Sequence, residues 1–196
     1  MPKTSKIREM NIEIRSLTQE LREDYLQFFD NMIYDENPDW SICYCYDYHF
    51  LGDIATCTRE SNRSAIIDMI NEGKQTGYLV FDDDKAVGWC NANNRQHFKR
   101  LLRDYDLVDR PEDKVCSVVC FLIHPDYRRQ GIAQKILEKI IEDCAHTDYE
   151  YIEVYPKKAE ISCTGNFKGP LKLYERFDFK IHKAYDSYFV MRKSLK

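Results

Sequence analysis

Six residues, Arg128-Arg129-Gln130-Gly131-Ile132-Ala133, lie between the apolar run Val118–Pro125 and the segment Gln134-Lys135-Ile136-Leu137. An arginine, two residues, a glycine, one more residue and then a small one, placed where a strand hands over to a helix, can hold an anion. The first turn of a helix offers backbone N–H groups with no partner and a partial positive charge. Gly131 lets the backbone approach such an anion closely, Ala133 keeps the turn uncrowded, and the arginines add charge-assisted donors. No Gly-Lys-Ser/Thr follows and no G-x-G-x-x-G occurs, so neither a nucleotide-hydrolysing P-loop nor a dinucleotide fold is supported.

A second group with chemical potential is Trp40-Ser41-Ile42-Cys43-Tyr44-Cys45, with His49 and Cys57 beyond it. Zinc would use cysteine and histidine, but the spacing lacks a C-x-x-C knuckle and a second paired half, so no metal is expected. A covalent intermediate on Cys45 or Cys120 would need a histidine beside it, which the spacing does not supply. Trp40, Tyr44, Tyr46 and Tyr48 carry apolar faces with polar tips, suited either to the wall of a binding site or to an ordinary packed loop. His124 precedes Pro125 at a strand end, where a histidine caps a turn.

The elements that must position these groups follow from periodicity. Residues 11–17 alternate as a strand, and 16–30 then turn to helical spacing. Residues 31–57 are irregular, and 59–73 form a helix ending at Gly73. Residues 76–92 read as a hairpin around the acidic turn Asp82-Asp83-Asp84-Lys85, and 95–106 as a short helix. The nearly unbroken apolar run 115–124 marks a strand buried on both faces, and Ile132, Ile136, Leu137, Ile140 and Cys144 form the stripe of an amphipathic helix. Residues 149–156 are a further strand. Residues 169–179 are a short helix with Pro170 in its first turn, and 179–195 a closing hairpin. That order fits an α/β chain with a mixed sheet covered by helices on both faces.

A chain of 196 residues with net charge −4 and interleaved acids and bases suits one domain spanning residues 1–196, with no nucleic-acid partner and no polybasic membrane anchor. The opening MPKTSKIREM has no signal-peptide core and no run reaches membrane-spanning length, so a cytoplasmic location with reduced cysteines is expected.

With these elements in place, the sequence resembles the GCN5-related N-acetyltransferases (GNAT). The family pattern Arg/Gln-x-x-Gly-x-Gly/Ala matches Arg128, Gly131 and Ala133, and Leu173-Tyr174-Glu175 through Phe179 matches its later Tyr-Glu-x-x-Gly-Phe helix. Asp178 stands where the family usually has glycine, and Phe167 near where many members have asparagine. Gly88-Trp89-Cys90, Val118 to Phe121 and Val154-Tyr155-Pro156 are similar to a bacterial subgroup for which no general acceptor is known. The resemblance implies a mixed, mostly antiparallel sheet of about six to seven strands. It also implies a coenzyme A-binding core over about 115–180, with 31–57 and 93–110 as acceptor-side loops.

Acetyl-CoA is the implied donor. Its pyrophosphate would rest on the amides of Arg129 through Gln134 (Arg128, Arg129, Gln130, Gly131, Ile132, Ala133 and Gln134 forming the turn), and its pantetheine would run along Phe121, Leu122 and Ile123. Attack needs a neutral amine, a donor for the oxyanion and a proton for the leaving thiolate. The resemblance assigns the second to a strand amide near Leu122 and the third to Tyr174. Glu153 is the candidate base, with a solvated edge carboxylate as its alternative. Trp40, Tyr44, His49 and Tyr155 are candidates for the acceptor pocket. The acceptor stays open among small amines, amino acids, aminoglycosides and peptide lysines, as does a homodimer. The competing reading is a non-catalytic acyl-CoA-binding sensor of the same fold.

Overall fold

The structure, a computed structural model, describes residues 10–32, 34, 37–104, 114–159 and 166–196. Among these residues, seven strands form one sheet: β1 (Ile12–Ser16), β2 (Gly77–Asp82), β3 (Lys85–Asn94), β4 (Val115–Ile123), β5 (Tyr151–Val154), β6 (Lys180–Ala184) and β7 (Phe189–Ser194). Their order is β1-β2-β3-β4-β5-β7-β6, and every neighbouring pair is antiparallel except β4 with β5. The mixed, mostly antiparallel sheet expected from the sequence is therefore what forms.

Among the described residues, five α-helices cover it: α1 (Arg22–Asn31), α2 (Arg59–Asn71), α3 (Lys99–Asp104), α4 (Ile132–Ala145) and α5 (Leu171–Arg176). Side chains alternate across β2, so Leu79 and Phe81 pack with Tyr25 and Phe29 of α1 and Ile66 of α2, while Tyr78 and Val80 pack with α4 and α5. The stripe of α4 buries Ile132, Ile136, Leu137 and Ile140 to 2% exposure or less, each contributing about 1.5–3 kcal/mol of apolar transfer. Thr58 caps α2 by accepting from the Ser61 amide at 3.1 Å while Ser61 Oγ accepts from the Thr58 amide at 2.9 Å. Among the described residues, no helix is long and apolar enough to cross a membrane.

Two features of the sheet shape the site. The register of β3 against β4 slips between Asn91 and Ala92, leaving Val119 as the extra residue of a bulge on β4. The parallel pairing of β4 with β5 covers only Val115–Val118 against Tyr151–Val154, so β4 continues to Ile123 without that neighbour. Residues 166–170 enter the gap, and the Phe121 amide donates to the Phe167 carbonyl at 2.6 Å.

Two local details differ from the sequence reading. Pro170 is the N-cap of α5 and lies outside its first turn. Asp178, where the family pattern has glycine, adopts a left-handed conformation (φ 61°), so aspartate accepts the conformation that ends this segment.

Candidate active site

The turn after β4 is built as its residue types require. Arg129 (φ 60°) and Gly131 (φ 78°) are both left-handed, and Gly131 is the N-cap of α4, which starts at Ile132. Arg128 is fixed at the strand end by donating from Nε to the Ile123 carbonyl at 3.0 Å. The turn borders a cleft of about 540 Å³ running from β4 across the start of α4 to α5. Nine of the ten residues expected to hold coenzyme A line it. The tenth, Gln130, instead donates from Nε2 to the Asp126 carbonyl at 2.7 Å. Among the described residues, the charged ones lining this cleft are Arg128, Arg129, Lys172 and Arg176, all basic.

A second cavity, of about 300 Å³, adjoins the first. Its walls come mainly from residues 29–57, closed on the sheet side by Cys120 and Leu122 and from the gap by Phe167. Among the described residues, the charged ones lining this cavity are Asp39 and Asp47, both acidic. Trp40, Leu122 and Phe167 line both cavities, and the Trp40 and Phe167 rings meet edge to face with centroids 5.4 Å apart. Burial raises the Asp47 carboxyl above its ordinary value, against the pull of Arg100, whose Nη1 lies 3.4 Å from Oδ1.

Of the four acceptor-pocket candidates only Trp40 lines this cavity. Tyr44 is fully buried, stacks on Phe29 at 5.5 Å and bonds its hydroxyl to Asp30. Tyr155 is also fully buried, sharing its hydroxyl between Ser117 (2.8 Å) and Glu153 (2.6 Å). His49 packs against Phe98 and pairs Nδ1 with the His97 carbonyl at 3.1 Å; burial pushes its pKa down to about 4. Tyr46 and Tyr48, noted in the same aromatic run, do line the cavity, as does Asp47 between them, which the sequence reading passed over. None of residues 93–104 reaches it, and 105–110 of that expected loop lie outside the described residues.

The expected catalytic pair is placed differently from expectation. Glu153 is neither a solvated edge carboxylate nor poised as a base. It is 0% exposed and accepts from Arg192 Nε at 2.6 Å, from Tyr155 at 2.6 Å and from Arg95 Nη1 at 3.4 Å. A carboxylate wrapped by two guanidiniums and a phenol has its lone pairs committed, which suits it to holding β5, β7 and the segment after β3 together. Tyr174 is likewise fully buried, with its hydroxyl donating to the Lys168 carbonyl, and burial raises its phenol well above the ordinary value. Gly169 is what allows this contact, because a Cβ there would stand 2.3 Å from the Tyr174 hydroxyl. Gly169 itself lines the basic cleft, so one peptide separates that hydroxyl from it.

The strand amide expected near Leu122 has one candidate that faces the gap. Phe121 turns its N–H toward the gap, so by alternation Leu122 faces β3, where it is paired with Trp89. His124 does cap the turn at 125–127, accepting from the Asp126 amide. Cys45 is buried against Cys120, a contact that with burial raises its thiol well above the ordinary value, and burial pushes Cys43 up to about 12. Neither thiol is primed as a nucleophile.

Lys168 was not singled out by the sequence. It is 6% exposed, and its ammonium stands 5.7–6.0 Å from the ring centroids of Tyr48, Tyr155, Phe167 and Tyr188. Burial pushes its pKa down to about 8.

Comparison with known proteins agrees with this architecture. No curated protein matches the chain in sequence. Among solved structures, a GNAT-family acetyltransferase of Streptococcus pneumoniae superposes with a TM-score of 0.58 at 15% identity, over 95% of this chain and 100% of that one. The PaiA N-acetyltransferase of Thermoplasma acidophilum, solved in complex with coenzyme A, gives 0.56 at 14% identity over 94% and 99%. The yncA protein of Salmonella typhimurium, solved with acetyl-CoA, gives 0.51 at 10% identity over 94% of each. These likenesses are of fold; the family profile "Acetyltransferase (GNAT) family" matches residues 19–179, and the chain belongs to that family.

Proposed function

We propose that this protein moves an acetyl group from acetyl-CoA to the neutral nitrogen of a primary amine. The observation that carries this reading is the pair of adjoining cavities of opposite charge, one lined by Arg128, Arg129, Lys172 and Arg176, the other by Asp39 and Asp47, which meet at Trp40, Leu122 and Phe167. A donor bearing phosphates suits the first and an ammonium the second. The Thermoplasma and Salmonella structures, solved with coenzyme A and acetyl-CoA, support the choice of donor.

The amides at the start of α4, with the two arginines of the turn, hold the pyrophosphate. A pantetheine chain laid along β4 exchanges with the Phe167 carbonyl for the Phe121 amide. The amine nitrogen forms its bond to the thioester carbon, the carbon–sulfur bond breaks, and coenzyme A leaves with a proton. Tyr174 supplies that proton, which requires its hydroxyl to give up the Lys168 carbonyl; the acceptor ammonium gives one proton to water before attack, and the proton its nitrogen sheds on becoming an amide returns to the Tyr174 phenolate.

The non-catalytic acyl-CoA-binding reading has one observation in its favour, the sealing of Tyr174 behind the Lys168–Gly169 peptide. Thiol release from acetyl-CoA separates the two. An acetyltransferase gives release that depends on added amine. A protein that binds acetyl-CoA tightly and releases no thiol with any amine is a sensor.

A further inference from the structure

The acidic cavity says more about its occupant than that it is an amine. Its walls are aromatic, aliphatic and thiol-bearing: Trp40, Tyr46, Tyr48 and Phe167 supply ring faces and edges. Asp47 is its half-buried carboxylate, while Asp39 is exposed. Arg100 stands behind Asp47, engaged by the Phe50 carbonyl at 3.0 Å and the Gly52 carbonyl at 3.3 Å. Lys168 stands close enough to feel the Asp47 charge. Neither base lines the cavity, so an entering group meets the carboxylate first. One further polar atom is unused: the Tyr34 hydroxyl is buried at this wall without a hydrogen-bond partner among the described residues.

Resting on the acetyltransferase reading, we propose that the acceptor is a small arylalkyl monoamine without a carboxylate, with its amine end beside Trp40 and Phe167 in the field of Asp47 and its ring toward Tyr34 and Tyr46. Three physical arguments converge. A cavity of about 300 Å³ lies at the small end of ligand sites and favours a small amine over an aminoglycoside. Ring faces attract both an aromatic body and the adjacent ammonium, whereas a second ammonium deep in the cavity would be desolvated without a partner. An amino acid would bring its carboxylate against Asp47 with no cation among the described lining residues to receive it. A hydroxyl on the acceptor's ring would give the Tyr34 phenol the bond it lacks. Trp40 and Phe167, which line both cavities, place the amine end of such a molecule beside the donor cleft.

The test compares tyramine with L-tyrosine, which differ only by the carboxylate, alongside spermidine and kanamycin, by acetyl-CoA-dependent thiol release and by mass of the product. The expected result is a kcat/KM for tyramine about 100-fold or more above that for L-tyrosine, the scale on which a site rejects a group it leaves unpaired. Spermidine and kanamycin are expected near the no-amine rate. In Asp47→Asn the KM for tyramine should rise about tenfold or more while acetyl-CoA affinity is kept, as one lost charge-assisted contact requires. Turnover of L-tyrosine, spermidine or kanamycin at or above that of tyramine overturns the inference and leaves acetyl transfer intact. Acetyl-CoA binding with no turnover of tyramine also overturns it. Failure to bind acetyl-CoA overturns the acetyltransferase reading itself.

Discussion

Replacing Glu153 by glutamine separates a structural ion pair from a catalytic base. The carboxylate is 0% exposed, and both guanidiniums it pairs with are buried, Arg95 at 1% and Arg192 at 9% exposure. Glutamine keeps the shape but removes the charge, and its amide can turn a donor toward Arg192 Nε, which now stands 2.6 Å from a carboxylate oxygen. Breaking a buried pair from one side costs about 3–5 kcal/mol because the remaining charge stays desolvated. A chain of 196 residues loses about 2–4 °C of Tm per kcal/mol, so a drop of about 6–20 °C is expected. Calorimetry and urea unfolding at neutral pH provide the measurement. A Glu153→Gln protein that keeps the wild-type Tm within about 2 °C but loses turnover, most of all at low pH, would refute the placement and restore the carboxylate as a base.

The other expectations are narrower. Tyr174→Phe should keep the fold and acetyl-CoA affinity but lower kcat by about 10²–10⁴-fold, and a change within about threefold would remove the phenol from proton transfer. Because burial raises the Tyr174 phenol, its own titration should put no basic limb on the wild-type profile below about pH 10. Lys168, held down to about 8 by burial against 10.5 in the unfolded chain, binds fewer protons folded than unfolded between those values. Wild-type stability relative to Lys168→Met should therefore be lowest and level below pH 8 and rise with pH toward 10.5. A difference that stays flat across that window by thermal unfolding would contradict it.

Much of the fold was legible because periodicity and punctuation agree along most of the chain. The apolar run of β4, the stripe of α4 and the glycine between them name their own elements, and they also carried nine of the cleft-lining residues. Glu153 was misread because the alternation Ile152-Glu153-Val154 normally signals one wet face, whereas here the second face is closed by Arg95, Tyr155 and Arg192 from distant segments. The aromatic run was only half legible for a related reason. Residues 38–56 form short 3-10 turns with no sustained period, so nothing local says that Tyr44 points into the core while Tyr46 and Tyr48 reach the cavity. The Lys168 cage needs Tyr48, Tyr155 and Tyr188 brought together from three parts of the chain, and no spacing foreshadows that.

The donor site is the claim on which the rest depends, and Trp40 reports on it because it lines the cleft while the other tryptophan, Trp89, is fully buried. Titrating acetyl-CoA against tryptophan fluorescence in the wild type and in Gly131→Val is the most direct measurement. Valine at φ 78° strains the N-cap of α4 and puts a branched side chain on the turn that would carry the phosphates. The expected result is a saturable change in the wild type and a loss of affinity of about 100-fold or more in a Gly131→Val protein shown to be folded. Equal affinity in the two folded proteins would contradict the placement of acetyl-CoA on this turn.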